Sequence, residues 1–495
     1  MWYEIPASKM DFSEETLFAA RRNRSKRVRR RNILDDMKFL IRAAEGVLEI
    51  GILTAVFYGV WTVGYWGIVF PESFGGGTLY LLLGVYALAM TAVFSLCDCF
   101  GYGHAKLIDL TVSQWISVFL VDVLTFFLLC LIASDRVRIW PMATALVLDF
   151  VLSFACCSIF TRIYHSLYVP RNMLLIYEDE SALDLKFKMD ARPDKYAITE
   201  VISIRADFDR VCQAIERHDA VVINDVAGES RNRILKYCYS RSIRTYVVPQ
   251  VTDIILASAQ DVTLLDTPLK LVRGRGLTVF QRVCKRCMDV VLCLIAMVVA
   301  APIMLLVAIA IKLEDGGPVF YRQARVTRGG QVFDILKFRS MVVDAEKNGY
   351  DLSMRANGRD PRITKVGHVI RGCRVDELPQ ILNILKGDMS IVGPRPERVE
   401  NVEAYSQELP EWHYRERVKA GLTGYAQIFG KYNTTAEDKL RLDLIYIENY
   451  SLLLDIKLIF MTGRILFSKE STEGFEVQEQ MRQRRKKTLE ELTRK

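Results

Sequence analysis

VVLCLIAMVVAAPIMLLVAIAI, residues 290–311, is the stretch on which the fold turns. It carries no charge over 22 positions, enough for a helix to cross the roughly 30 Å hydrocarbon core of a bilayer. Pro302 stands near its middle, where a proline removes a helix hydrogen bond and kinks or breaks the helix. Two folds follow. A kinked spanning helix sends everything after residue 313 to the far side of the membrane. A helix that enters, bends at Ala301-Pro302 and returns keeps residues 313–495 on the side they started from. The flanking sequence has to decide.

Upstream, four more apolar segments lie at about 46–70, 78–98, 112–134 and 139–161, each near the length of a spanning helix. The basic run RRNRSKRVRRRN (residues 21–32) precedes the first of them. It is too basic and too early for a secretory signal, and by the positive-inside rule it places the N-terminus in the cytoplasm. Four crossings then return the chain to the cytoplasm. Arg136 and Arg138 fall in a short loop that this topology puts outside, but the N-terminal cluster outweighs them. Between the fourth and fifth apolar segments, residues 171–265 have soluble composition. MLLIY, AVVIND and TYVVPQ read as buried strands, and Asp207–Arg217 and Gly228–Arg241 as helices, an alternation that predicts a small parallel, Rossmann-like α/β module. After its first strand comes EDESALD, without the glycines of a dinucleotide loop, so no nucleotide is expected there.

The 495 residues are 51% hydrophobic and 25% charged, an average over these two regimes. Lys and Arg number 66 against 58 Asp and Glu, a net charge of +8 that permits an anionic partner without selecting one. Eleven cysteines, several inside apolar runs, offer one CxxC (Cys284, Cys287) and one CxC (Cys97, Cys99) without a second pair, and the five histidines are scattered, so neither a metal site nor a disulfide framework is expected. The basic runs flank membrane segments and lack interleaved aromatics, which argues against nucleic acid as a partner.

Downstream of the fifth segment, PVFYRQARV and QVFDILKFRSM flank Arg328-Gly329-Gly330 as a hairpin. Then comes RVDELPQILNILKGDMSIVGPRPER, residues 374–398. Leu378, Ile381, Leu382 and Leu385 repeat as one helix face, and Pro379 suits a first turn, which puts Asp376 at or near the N-cap and Glu377 in the first turn. Acids at a helix start are ordinary capping chemistry. Here, however, Lys337, Arg339, Arg362, Lys365, Arg371 and Arg374 precede the pair and Arg395 follows it between two prolines. Two carboxylates among many cations suit a phosphate group with a divalent metal, and an Asp carboxylate can itself attack phosphorus. Residues 436–468 are amphipathic and able to lie on a membrane surface; RQRRKK (residues 482–487) makes the end of the chain basic.

KFRSM (337–341), DPRITKVG (360–367), DELPQILNILKGDMSIVGPRP (376–396), VKAGLTGYAQIFG (418–430) and LDLIYIENYSLLLDIKLI (442–459) together resemble the bacterial sugar transferases, the monotopic phosphoglycosyl transferases that act on polyprenyl phosphates. The likeness covers roughly residues 280–470. The upstream layout is similar to that of the larger members, with four membrane helices and an α/β module. The resemblance implies transfer of sugar-1-phosphate from a UDP-sugar to undecaprenyl phosphate, with release of UMP, as the first membrane step of exopolysaccharide, capsule or other surface glycan synthesis. It implies that Asp376 is the nucleophile of a covalent phosphosugar intermediate and that Glu377 holds Mg2+, with Asp376 as a second ligand. It assigns Lys337, Arg339 and Arg395 to substrate phosphates and matches Asp443 to a family acidic position; Arg362 and Arg371, among the cations before the pair, are further candidates for the site. It also implies a re-entrant helix over about 288–312, broken at Ala301-Pro302.

The expected architecture is therefore a basic cytoplasmic N-terminus (1–45), a four-helix transmembrane region (46–165), the α/β module (171–265), a mainly α-helical catalytic domain with a short β-hairpin (280–470) and a basic tail (471–495). The catalytic domain is expected on the cytoplasmic face of the bacterial inner membrane. Homodimerisation through the membrane helices or the α/β module is a further expectation. Val375 stands where leucine is common in the family, a change that touches no proposed catalytic residue. A catalytically silent scaffold of a polysaccharide assembly complex is the competing reading. It predicts erosion of the dyad or its cations, yet all of them are present.

Overall fold

The computed structural model describes residues 14–65, 77–103, 106–133, 137–178, 183–226, 228–274, 276–343, 362–430 and 434–466, with side chains from residue 37 onward except at 78, 183 and 464–466. The tail RQRRKK and the start of DPRITKVG lie outside them. The chain divides into two compact units, Met1–Tyr164 and His165–Lys495.

The first unit is built on α1 (Glu14–Gly64), α2 (Gly77–Leu96), α3 (Leu107–Ile132) and α4 (Ile139–Leu167). Each contains a stretch long and apolar enough to cross a membrane. The helix bounds differ from the hydropathy reading. The apolar part of α1, Met37–Gly64, starts earlier than the expected 46–70, of which 66–70 lie outside the described residues, and the basic run belongs to the same 51-residue helix, because Arg and Lys are good helix formers and nothing there breaks it. The outward faces are apolar, with Val63, Tyr80 and Leu131 exposed. Inside, four carboxylates are buried among the described residues: Glu45, Glu49, Asp122 and Asp149. Gln114 Nε2 donates to Glu49 Oε2 (3.1 Å) and to the Tyr102 hydroxyl (2.9 Å), and the Tyr86 hydroxyl donates to Asp122 Oδ1 (2.9 Å).

The second unit begins with a four-stranded parallel sheet in the order β2-β1-β3-β4. Its strands are β1 (Arg171–Tyr177), β2 (Tyr196–Ser203), β3 (Ala220–Asn224) and β4 (Arg244–Val247), with α5 (Leu183–Asp190), α6 (Phe208–Arg217), α7 (Gly228–Ser240) and α8 (Val251–Ala257) between and after them. Leu174, Ile176, Val221 and Ile223 face α6 and α7, while Met173, Leu175 and Val222 face α5. Burial on both faces explains the unbroken apolar runs of β1 and β3. The antiparallel pair β5 (Gln260–Leu264) and β6 (Thr267–Leu271) follows.

Helix α9 (Val279–Asp315) contains the deciding stretch as 37 helical residues with Pro302 inside. At about 1.5 Å per residue this helix exceeds the hydrocarbon thickness. One of its faces meets the rest of the unit along the whole length. Near the start, Asp289 accepts from the Ser390 hydroxyl (2.8 Å) and from Ile391 N (3.1 Å). In the middle, Cys293 and Ala300 pack with Phe333, Ile335, Ile381 and Ile384. Near the end, Ile311 packs with Phe338 and Ile370, and Glu314 accepts from Lys365 N (2.8 Å). The opposite face is exposed and apolar: Val298, Val299, Leu305, Leu306 and Leu313 are each more than 60% accessible.

The hairpin then pairs β7 (Phe320–Val326) with β8 (Val332–Phe338) in antiparallel register, Phe320 opposite Phe338 and Val326 opposite Val332. Gly329 (φ 68°) and Gly330 (φ 74°) supply the left-handed backbone its turn requires. There follow α10 (Lys365–Gly372), α11 (Gln380–Lys386), β9 (Ser390–Val392), α12 (Val399–Glu408), β10 (Gly421–Thr423), α13 (Tyr425–Phe429), α14 (Ala436–Glu448) and α15 (Leu452–Leu466). β9 and β10 pair in parallel. Trp412, Leu440, Leu444, Tyr446 and Leu458 form the core beneath them, and Ile254 of α8 joins it. The α/β module and the C-terminal helices therefore share one core.

Candidate active site

Arg374 takes a left-handed conformation (φ 57°), which is strained for a residue with a side chain. It launches a 3-10 turn, Val375–Glu377, that carries the two acids. The expectation of an α-helical N-cap at Asp376 is thereby corrected. Pro379 has no N–H and opens α11 at its own N-cap, so the dyad occupies a separate turn held by Glu377 N→Arg374 O (3.3 Å) and Leu378 N→Val375 O (3.1 Å). The buried face of α11 is also shifted: Ile381 and Ile384 are buried, and Leu382 is exposed.

Glu377 is the electrostatic centre. Lys337 Nζ, on β8, donates to its Oε1 at 2.7 Å, and Arg395 Nη2 reaches the same oxygen at 3.4 Å. Burial opposes ionisation of Glu377, but Arg395, Lys337 and Arg374 outweigh it and hold the carboxyl down to about 2. Asp376 moves the other way. Burial and the neighbouring Glu377 charge raise it above the ordinary carboxylate value, and Lys337 and Arg371 offset this only in part. Two adjacent acids are thus pushed apart, one fixed as an anion and one easier to protonate.

The arrangement depends on residues that sequence reasoning passed over. Asn383, on α11, accepts from Leu336 N (2.9 Å) and donates to the Asp334 carbonyl (2.8 Å), tying α11 to β8 one residue before Lys337. Its signal was a polar residue in the apolar run QILNILK. Arg415 donates from Nη2 to the Arg395 carbonyl (2.9 Å) and pairs with Asp443 Oδ2 (2.8 Å). Arg325 Nη1 donates to the Pro396 carbonyl at 3.0 Å. The GPRP turn that carries Arg395 is therefore clamped from both sides.

Lys337, Arg395 and Arg371 gather around the dyad. Arg339 does not. It is buried and pairs with Asp315 at the end of α9, stacked so closely on Gly317 that a Cβ there would lie 2.0 Å from Nη1. Its Nε and Nη1 have no hydrogen-bond partner among the described residues. Asp443 is buried under Arg395 through Arg415 and does not face the dyad. Arg362 lies where its carbonyl accepts from Val342 N (2.9 Å), next to the isolated bridge between Met341 and Ile363. Ala301 and Pro302 lie within α9. Among the described residues no group of three or more His, Cys, Asp or Glu side chains forms a self-contained metal site.

Residues 280–469 match the family described as bacterial sugar transferase. A UDP-N-acetylgalactosamine-undecaprenyl-phosphate N-acetylgalactosaminephosphotransferase of Aeromonas hydrophila is 34% identical over 331 residues, which cover 65% of this chain and 72% of that protein. A UDP-glucose:undecaprenyl-phosphate glucose-1-phosphate transferase of Klebsiella pneumoniae is 32% identical over 292 residues, 58% of this chain and 60% of that protein. An exopolysaccharide production protein of Sinorhizobium fredii, ExoY, is 37% identical over 190 residues, 36% of this chain and 83% of that protein.

Proposed function

This chain belongs to the bacterial sugar transferase family, and from that premise we propose that it moves a sugar-1-phosphate from a UDP-sugar to undecaprenyl phosphate. The names of its relatives support this donor and this acceptor, and that of the Sinorhizobium relative supports a place in exopolysaccharide synthesis. The observation that carries the reading is the split dyad: Glu377 held as an anion by Lys337 and Arg395, beside an Asp376 without such a clamp.

In the reaction, a carboxylate oxygen of Asp376 attacks the sugar-bearing phosphorus of the donor. The P–O bond to the uridylate breaks, and UMP leaves with the electron pair. The resulting acyl phosphate is attacked at the same phosphorus by the phosphate oxygen of undecaprenyl phosphate, which returns the carboxylate and releases the lipid diphosphate sugar. Lys337, Arg395 and Arg371 neutralise charge on the phosphoryl oxygens, the principal requirement of such a transfer. Lys337 and Arg395 both engage Oε1 of Glu377, and no partner is seen for Oε2 among the described residues. Two carboxylates with one oxygen free suit Mg2+, which takes one or two protein carboxylates and completes its shell with phosphate oxygens and water. Asp376 and Glu377 would hold it, and when bound it neutralises the diphosphate.

The contacts of α9 support its re-entrant reading. One body packs along the helix from Lys285 to Asp315 while its apolar face turns outward, which favours both ends on one side of the membrane. The basic segment of α1 supports a cytoplasmic side for the N-terminus, and the active site belongs with the donor in the cytoplasm. Release of UMP from a panel of UDP-sugars, with Mg2+ and undecaprenyl phosphate, tests the reading. Acceptor-dependent release with at least one donor is expected. Absence of release with every donor would favour a silent scaffold.

A further inference from the structure

A cavity of about 230 Å³ opens beside the first turns of α9 and shares no lining residue with the Asp376 site. Six cations line it, Arg282, Lys285, Arg286, Arg328, Arg417 and Lys419, and Asp289 is the one acid in its wall. Some of this charge has an internal use. Lys285 is buried and pairs with Asp455 (2.6 Å), and Arg417 pairs with Glu448 (3.3 Å). Arg286 donates to the Ile384 and Leu385 carbonyls at the end of α11, and Lys419 to that of Gly387 (2.6 Å). Carbonyl dipoles satisfy these donors without cancelling their charge. Asp289 is committed to Ser390 and Ile391. Arg282 and Arg328 are exposed, and no side-chain partner is seen for either among the described residues.

The result is a concave wall with surplus positive charge in which the cations repel one another. Burial, with Arg286 and Arg328 close by, pulls the Lys419 ammonium below its ordinary value. An anion in the cavity would relieve that repulsion through charge-assisted hydrogen bonds. The space suits a phosphate ester rather than a single water. The location adds a second constraint. Val279, Phe280 and Val283, on the same turns of α9 as Arg282, are exposed and continuous with the apolar outer face of that helix. The cavity therefore stands where an apolar surface gives way to a basic one, the chemistry of a bilayer edge.

We propose that this cavity binds a phosphate group, carried by an anionic phospholipid headgroup at the membrane edge or by a free phosphate compound. It is independent of the transfer reaction, because none of its residues touches the dyad.

Thermal unfolding of the full chain in neutral detergent, without Mg2+, tests it. Dihexanoyl-phosphatidylglycerol, dihexanoyl-phosphatidylcholine and inorganic phosphate are titrated separately. The phosphatidylglycerol or the inorganic phosphate, or both, should raise Tm, and the double variant Arg282→Gln/Arg328→Gln should need about tenfold more of the same probe. The exposed pair Arg210→Gln/Lys236→Gln in the α/β module controls for net charge and should match wild type. A response to the lipid alone identifies headgroups as the source, and a response to inorganic phosphate identifies free compounds. If the double variant unfolds early without ligand, each single variant is titrated instead, with about threefold expected for each. Equal response to phosphatidylcholine and phosphatidylglycerol with none to phosphate, or wild-type titrations in the cavity variants, would overturn the proposal.

Discussion

Asp122 and Asp149 in the membrane unit and Asp376 and Glu377 in the second unit are two pairs of carboxylates withdrawn from water, and their neighbours differ. Asp122 accepts one hydrogen bond from Tyr86, and both oxygens of Asp149 are without a partner among the described residues. No ion pair to either is present among those residues. The second pair sits among Lys337, Arg371, Arg374 and Arg395, which split its two members electrostatically. A carboxylate in an apolar interior has no cation to hold its charge, whereas the cations around the second pair keep Glu377 ionised beside an Asp376 that is easier to protonate. Burial alone does not mark a reactive acid; the cations around it do.

The sharpest way to test that comparison is Asp376→Asn, which keeps the shape and removes the proposed nucleophile. UMP release should fall by roughly 10^4-fold or more, with Tm close to wild type. Next in size is Arg415→Leu, which leaves Asp443 buried without its partner. A loss of about 3–5 kcal/mol in unfolding free energy is expected from calorimetry, much of it recovered in Arg415→Leu/Asp443→Leu. A full loss in that double variant as well would mean that the clamp on the Arg395 turn matters more than the charge pair.

Lys337→Gln comes third, with a turnover loss of roughly 10^2-fold. Its pH profile is more telling. The Asp376 carboxyl lies above its ordinary value, and Lys337 is one of the groups holding it down. The acid limb of kcat/KM should therefore move to higher pH in the variant. Glu377 has the opposite sign: its folded value of about 2 lies below the ordinary 4.5. It contributes stability above about pH 4.5, on the order of 3 kcal/mol, which is lost as pH falls towards 2. The smallest effect belongs to the membrane pair. Asp149→Asn should leave turnover within about twofold and Tm unchanged or higher, because an amide replaces a carboxyl that has no cation to serve. A large loss of UMP release there would break the comparison.

The apolar helices, the hairpin and three strands of the parallel sheet, β1, β3 and β4, were legible because each rests on a local rule of length, period or turn chemistry. Strand β2, YAITEVIS, was not, because its residues are only half-buried and a glutamate interrupts its apolar pattern. The continuation of α1 through its basic run was missed for a related reason: charge patterning says where a segment lies, not whether it is helical. At the site, the sequence identified the acids and which cations to expect, but not their pairing. Lys337 and Arg339 are two residues apart on one strand and its extension, yet one meets Glu377 and the other meets Asp315, 62 positions apart in sequence. Asp443 reads as a site residue by motif but pairs with Arg415 instead. Such partnerships depend on long-range packing that no window of sequence contains.

The central claim, that Asp376 itself takes the phosphosugar, is tested most directly by intact-mass and peptide mass spectrometry of the full chain. The protein is quenched after mixing with UDP-sugar and Mg2+ in the absence of undecaprenyl phosphate. The account predicts one sugar-phosphate adduct per chain, mapped to Asp376, with a matching burst of UMP, and none in Asp376→Asn. UMP released only when the acceptor is present, with no adduct on any residue or with one on a residue other than Asp376, would contradict it.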